Sequence, residues 1–435
     1  MSNLNKHQDI GLDIYRLCAE LFPICRSITG NGVRQTLNII KRHLPGLRLI
    51  EVQSGTQVFD WTIPEEWNIK DAYIIDPMGN RIVDFKESNL HVVGYSTPVD
   101  TTVSLDELQD HLYSLPNQPD AIPYITSYYQ KKWGFCLTHQ QRQTLIPGNY
   151  RVYIDSSHTN GHLTYGELIL PGESTDEIFL STYICHPSLA NNELSGPAVT
   201  TFIAKWLAEK HRHRFTYRII FIPETIGSIT YLSRNLAEMK ENIQAGFNIT
   251  CIGDDRSYSY LSTRYGDTLA DRVVSHVLTH LHPEYKQYSY LDRASDERQY
   301  CSPGVDLPVA TVMRTKYGAY PEYHTSLDDL TLISPSGLFG GYEVLKLCIG
   351  CLENNHFYRT NHLCEPQLGK RGLYPTLSTK DSQGIVRNMM NLIAYCDGMN
   401  DLLKIAEIIN VPMWELFDLV DKLMEHQIIE SLPSE

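Results

Sequence analysis

No apolar run in the 435-residue chain approaches the roughly 18 residues that a membrane-spanning helix requires. Nor does Met1 lead into a basic and then apolar segment, so no secretory signal is expected and a cytoplasmic location follows. Basic charge is also short, with 37 Lys and Arg against 51 Asp and Glu for a formal net charge of -14. That balance argues against a nucleic-acid partner and against an anionic membrane, both of which reward a basic surface. The ten cysteines are scattered and mostly sit inside apolar runs, which reads as buried reduced thiols rather than a disulfide framework. Cys348 and Cys351 are close, yet they share helical spacing with Leu345 and Leu352, and no second pair completes a zinc pattern. The stretch Gly30-Asn-Gly32 lacks the Gly-Lys-Ser/Thr ending of a phosphate loop.

What remains is an ordinary globular balance, 42% hydrophobic and 20% charged, in a chain long enough for two or three domains. Residues 1–47 read as two helices, the second running from Val33 to Leu44 after a glycine turn. Residues 48–145 change texture to short alternating runs with turn signals, an inserted, mainly β domain. From residue 146 to 360 apolar strands alternate with helices, the pattern of an α/β sheet flanked by helices. Arg151–Ile154 and His162–Leu170 are expected to pair as a hairpin across Asn160-Gly161. Residues 361–380 read as a linker, and 381–435 as a three-helix, winged-helix-like domain. That last domain carries ten acidic residues against three basic ones, so docking to a protein partner or to a second copy of the chain is expected there rather than DNA binding.

Function in such a sheet collects at the carboxyl ends of the strands. Strand 177–184 ends in Cys185-His186-Pro-Ser and runs through Asn192-Glu193-Leu-Ser195-Gly196 into a helix. Strand 215–222 ends in Pro223-Glu224-Thr225, and strand 309–313 leads to Tyr320-Pro-Glu322-Tyr-His324-Thr325. Two histidines and two carboxylates thus converge from three strand ends, where an unpaired buried charge would cost several kcal/mol.

These residues resemble the motifs of the di-zinc aminopeptidases and of their glutaminyl-cyclase relatives. The phrases Phe59-Asp-Trp-Thr-Ile-Pro-Glu-Glu-Trp, Gly94-Tyr-Ser-Thr-Pro, Trp133-Gly-Phe-Cys and Cys185-His-Pro-Ser carry a narrower resemblance. It is to a bacterial family of aminopeptidase-like proteins with an inserted domain and a C-terminal winged helix, often associated with polysaccharide-biosynthesis loci. The resemblance implies a zinc-exopeptidase-like mixed sheet for residues 1–47 and 146–360. It places His186 and His324 at the first and last zinc positions and Glu224 at the general base.

The sequence departs from that pattern at Asn192, Thr225, Thr250 and Glu297, where the pattern has Asp, Glu, Asp and His. A pair of dications needs carboxylates to offset their repulsion, so one zinc per chain is expected rather than two. His186, Glu193 and His324 would supply a His₂Glu set with a fourth position for water. Glu224 would then be the base of a hydrolase acting on a peptide or other small-molecule amide. Asp296, Glu297, Arg298, Arg26 and Tyr320 are candidates for substrate contact. Two alternatives stay open: a binding or assembly protein on a degenerate scaffold, and a single-zinc acyl or cyclising transferase in the glutaminyl-cyclase manner.

Overall fold

The computed structural model describes residues 2–373 and 380–432. Part of the expected linker, 374–379, lies outside the described residues. The chain divides into two compact units, residues 1–270 with 286–342, and residues 271–285 with 343–435.

The first unit is built on an eight-stranded mixed sheet. Its strands run in the order Arg48–Gln53, His162–Leu170, Thr216–Ile222, Glu177–Tyr183, Ile243–Ile249, Val309–Met313, Ser259–Leu261 and Lys286–Tyr288. The four central strands, from 216–222 to 309–313, are mutually parallel. Their sequences are nearly unbroken apolar runs because helices bury both faces of a parallel sheet; every residue of Glu177–Tyr183 and Val309–Met313 is buried. Helices Ser195–Ala208 and Ile226–Asn242 follow the first two of these strands in the chain. The connections bring four strand ends to one edge.

A second, antiparallel sheet belongs to the insertion, with strands ordered Arg81–Asp84, Glu66–Ile75, Asn149–Thr159 and Val99–Ser104. It closes over Ala72, Ile74, Val83, Leu108, Phe135 and Val152. The expected hairpin across Asn160-Gly161 does not form. Strand 149–159 pairs with 66–75 and 99–104 in the small sheet, whereas 162–170 pairs with 48–53 and 216–222 in the large one. The chain bends at Asn160, but the Asn-Gly signal is silent on which ladder each arm joins. The insertion's own sheet therefore starts after strand 48–53 and reaches Thr159.

In the second unit, strand Phe357–Thr360 lies between Asp397–Asp401 and Ile429–Ser431. Residues 357–360, read from sequence as the end of the α/β domain, therefore pair with the winged-helix strands. Helices Lys380–Tyr395, Leu402–Ile409 and Phe417–Glu425 complete this unit, with a short 3₁₀ turn at Met413–Glu415. The Asp401 side chain caps the second helix by accepting from Lys404 N at 2.6 Å, and Asn410 ends it in the left-handed region. Residues 271–285 join the same unit: Arg272 forks onto Asp401 at 3.1 and 3.2 Å, and His276 Nε2 accepts from Met413 N at 2.9 Å.

Candidate functional site

Each of the four parallel strands is followed by a non-glycine residue at positive φ: Ser188 at 44°, Thr225 at 63°, Cys251 at 47° and His324 at 57°. Such conformations cost about 1–3 kcal/mol apiece and persist only where the surroundings impose them. The clearest is Thr225, at φ 63° and ψ -76°, where Ile226 N donates to Glu224 O at 2.8 Å. This is the rare γ-turn of positive φ, here on a β-branched residue. Asp296 Oδ1 holds it by accepting from Thr225 N at 2.7 Å, and Arg298 Nη2 donates to Thr225 Oγ1 at 2.8 Å. The turn puts Glu224 into the wall of a cavity of about 320 Å³ that His186, Cys185, Trp61, Tyr129 and Arg298 also line.

His186 is fixed from both sides. Its Nδ1 lies 2.7 Å from Glu193 Oε2, and Glu193 Oε1 lies 3.5 Å from Arg26 Nε. Arg26 Nε also donates to the His186 carbonyl at 3.0 Å. All three side chains are buried. Burial pushes the Glu193 carboxyl up to about 8 against the opposing pull of Arg26. His186 is driven down to about 3, by burial first and then by Arg26, so its imidazole is uncharged. Nε2 is left facing Glu224 Oε2 at 3.7 Å. Burial and the charge of Asp296 raise Glu224 to about 8, with Ser295 and Arg298 pulling the other way.

Glu193 owes its aim to a wide turn, Ala190–Leu194, that opens the next helix. Asp328 holds this turn, accepting from Asn191 N at 2.6 Å and Asn192 N at 3.0 Å, while its carbonyl accepts from Ala190 N. His324 stands across the cleft, its ring centre 5.5 Å from that of His186, and burial keeps it neutral with a pKa near 3. Tyr124, from the insertion, packs edge-on against both imidazoles at 5.1 and 5.2 Å.

The structure thus brings His186, Glu224 and His324 around one cleft. Glu193 lies behind His186 instead of beside His324. Among the described residues, Cys185, His186 and Glu193 are the set of three potential donors lying within 4.8 Å of one another. In that set the imidazole and carboxylate already bind each other, against the Arg26 cation. Of the candidate substrate residues, Arg298 lines the cavity. Arg26 is buried under Glu193. Tyr320 donates to Asp328 Oδ2 at 3.0 Å and is spent on the turn. Asp296 holds Thr225 and Ser228. Glu297 accepts from Ala294 N, Ser295 N and Tyr317 OH on one oxygen and from Asn248 and Thr311 on the other, which leaves it no role toward a ligand. Sequence reasoning missed the roles of Tyr124, Asp328 and the Trp61–Tyr129 wall; of these residues, Trp61 sits in a stretch already singled out, the phrase from Phe59 to Trp67.

Of the four substituted positions, Asn192 and Thr250 are knit into a neutral network and Thr225 is engaged by Arg298. Asn192 Nδ2 donates to Tyr183 Oη at 2.8 Å, Tyr183 OH donates to Asn192 O at 2.8 Å, and Thr250 Oγ1 bonds to Tyr183. Thr225 is occupied by Arg298. A two-ion centre does not fit these residues. His186 and His324 are the uncharged imidazoles that a single ion would have to join, and their ring centres, 5.5 Å apart, are close to the roughly 5 Å that metal–nitrogen bonds of about 2.0–2.1 Å at a tetrahedral ion would set. The carboxylate behind His186 Nδ1 is the usual means of fixing a ligating histidine.

Known proteins carry the same architecture. Over 412 residues the chain is 48% identical to a Clostridium acetobutylicum protein provisionally named as a polysaccharide biosynthesis protein with an aminopeptidase-like domain; the match covers 93% of this chain and 94% of that one. A crystal structure from the same organism, provisionally described as a peptidase, superposes with a TM-score of 0.93 at 45% identity and covers 99% of both chains. The zinc aminopeptidase BSAP of Bacillus subtilis shares the fold at a TM-score of 0.56 and 12% identity, over 78% of this chain and 94% of that one. Residues 356–431 match the winged helix-turn-helix family. Residues 15–355 match the family described as a domain of unknown function, DUF4910, and the chain belongs to it: an aminopeptidase-like α/β body with an inserted β sheet, followed by a C-terminal winged helix.

Proposed function

We propose that the chain is a single-zinc hydrolase of an amide bond in a small-molecule or peptide substrate. The observation that carries this reading is the buried Arg26–Glu193–His186 line, which presents a neutral Nε2 to Glu224 at 3.7 Å across a cavity at the strand ends. His186 and His324 would hold the ion, which would polarise the substrate carbonyl and lower the pKa of water. Glu193 fixes the His186 ring and its tautomer, with Arg26 balancing the carboxylate. Glu224 accepts the proton of the attacking water on its carboxylate and returns it to the departing amine. A pKa raised toward neutrality suits that exchange, since one group must both take and give the proton. Tyr124, packed against both imidazoles, excludes water from their edges.

Glu224→Gln tests the assignment. Gln keeps the shape but cannot accept the proton, so zinc content should hold while turnover on a panel of aminoacyl and N-acyl amides falls roughly 10²–10⁴-fold. Loss of zinc in this variant would make Glu224 a ligand; unchanged turnover would remove it from the chemistry.

A second reading, a binding protein on a retired peptidase scaffold, is favoured by the neutral Asn192–Tyr183–Thr250 network. Wild-type protein that takes up no zinc after dialysis against it would select this reading.

A further inference from the structure

The cavity has a cation with no close ion pair of its own, which acts on the Glu224 and Asp296 carboxyls only from beyond salt-bridge distance. Arg298 spends Nε on the Ser295 carbonyl at 3.0 Å and Nη2 on Thr225 Oγ1 at 2.8 Å. No carboxylate among the described residues comes within 4.0 Å of its guanidinium, although it is half-buried and lines the cavity. Other arginines near this cleft are paired, Arg26 with Glu193 and Arg256 with Glu322. Taking a guanidinium partly out of water without an anion is unfavourable, and its planar fork matches a carboxylate. The two bonds to Ser295 and Thr225 fix the fork in advance, so little freedom is lost when an anion arrives.

The same lining is partly aromatic. Trp61 and Tyr129 remain 40% and 53% exposed, with ring centres 5.8 Å apart at 64°. Trp61 sits on the two-stranded hairpin 57–62, and Tyr129 OH ties back to Thr62 O at 3.2 Å. With Ile28 and Ile226 they give a ring or apolar group a place to lie. Glu224 is the one carboxylate in the lining, and the proposed reaction already uses it. No second acid there is free to receive a substrate ammonium.

We infer that the substrate bears a carboxylate, held by Arg298, and an aromatic or other ring group, held by Trp61 and Tyr129, and that it is not selected by a free amino group. This rests on the hydrolase reading for the place of the bond but is tested by binding alone. The probes are N-acetyl-tyrosine, its neutral carboxamide, and tyrosinamide, which carries a free ammonium. Each is titrated calorimetrically into the full chain after chelation, so that no metal can supply the carboxylate preference. The free acid should bind at least about tenfold more tightly than either amide, the margin expected of one charge-assisted contact. Arg298→Met should remove the difference, and Arg298→Lys, which keeps the charge without the fork, should retain part of it. Trp61→Ala should weaken the acid and the neutral amide alike. Equal or tighter binding of either amide, a preference that survives in Arg298→Met, or binding of none of the three would overturn the inference. Should Arg298→Met fail to fold, the Lys variant and the wild-type ranking still decide it. Glu224→Gln should keep the ranking whether or not the wild type turns over, which separates this inference from the hydrolase reading.

Discussion

The two sides of the cleft are built from opposite materials. Behind His186 stand a buried cation and carboxylate, Arg26 and Glu193, with Glu224 in front. Toward the neighbouring strand end, where the peptidase pattern has acids, the groups are neutral: Asn192, Tyr183 and Thr250. One fold can therefore keep the machinery that orients a histidine and handles a proton while giving up the charge that holds a second dication. The kept half depends on pairing, because an isolated charge is intolerable there. The neutral half depends on hydrogen bonds that any similar polar group could partly replace.

The strongest way to break this contrast is Arg26→Met, which leaves the Glu193 carboxyl buried without its cation, with His186 as its remaining partner. Loss of one partner of a buried pair costs about 3–5 kcal/mol, so the urea midpoint of the first unit should fall steeply. Thr250→Val, in the neutral half, should cost only about 1–3 kcal/mol for the unmet hydrogen bond. Equal losses would show that the halves do not differ as described. A second contrast lies in metal affinity. Glu193→Gln should weaken zinc binding roughly 10–100-fold through the ring it orients, whereas Thr250→Val should leave it unchanged, both read by competition with a chromophoric chelator. The sharpest variant is Asn192→Asp. It should lower thermal stability without metal, since it adds a buried charge, and excess zinc should restore part of the loss. If zinc makes no difference, the position no longer faces an ion.

The smallest effect is expected within the second unit. Burial depresses His276 to about 4, and its Nε2 must stay unprotonated to accept from Met413 N. A histidine lowered in the fold contributes stability that is complete above its ordinary value near 6.5 and is lost as pH falls toward 4. Hydrogen exchange at the Met413 amide should therefore accelerate through that window. The His276→Gln variant should show little such dependence.

The placement of the strand-end residues was legible in the sequence because the order of strands decides it. His186, Glu224 and His324 follow apolar strands too hydrophobic to be anything but buried, and the sheet's topology delivers them to one edge. The role of Glu193 was not legible. Whether it meets an ion or the back of His186 depends on the wide turn 190–194, whose register Asp328 sets from 137 residues downstream of Asn191. Tyr124 and Trp61 were hidden for a similar reason: nothing local to the insertion says which cleft its loops will wall. The failed hairpin at Asn160-Gly161 shows the same limit in the backbone, since a local Asn-Gly signal does not select a strand's partner and only long-range pairing does.

That same two-residue step between sheets makes the insertion stiff. Strand 149–159 carries the small sheet's central ladder, and only Asn160 and Gly161 intervene before the chain becomes an inner strand of the large sheet. A hinge needs a few residues free to absorb changes in φ and ψ, and His162 N is already tied to Glu66 Oε2 at 3.0 Å. Little chain is therefore left for a hinge on that side of the insertion, and any movement of the aromatic wall would have to come from the segments that carry it, the hairpin 57–62 with Trp61 and the loop of Tyr129 tied to Thr62.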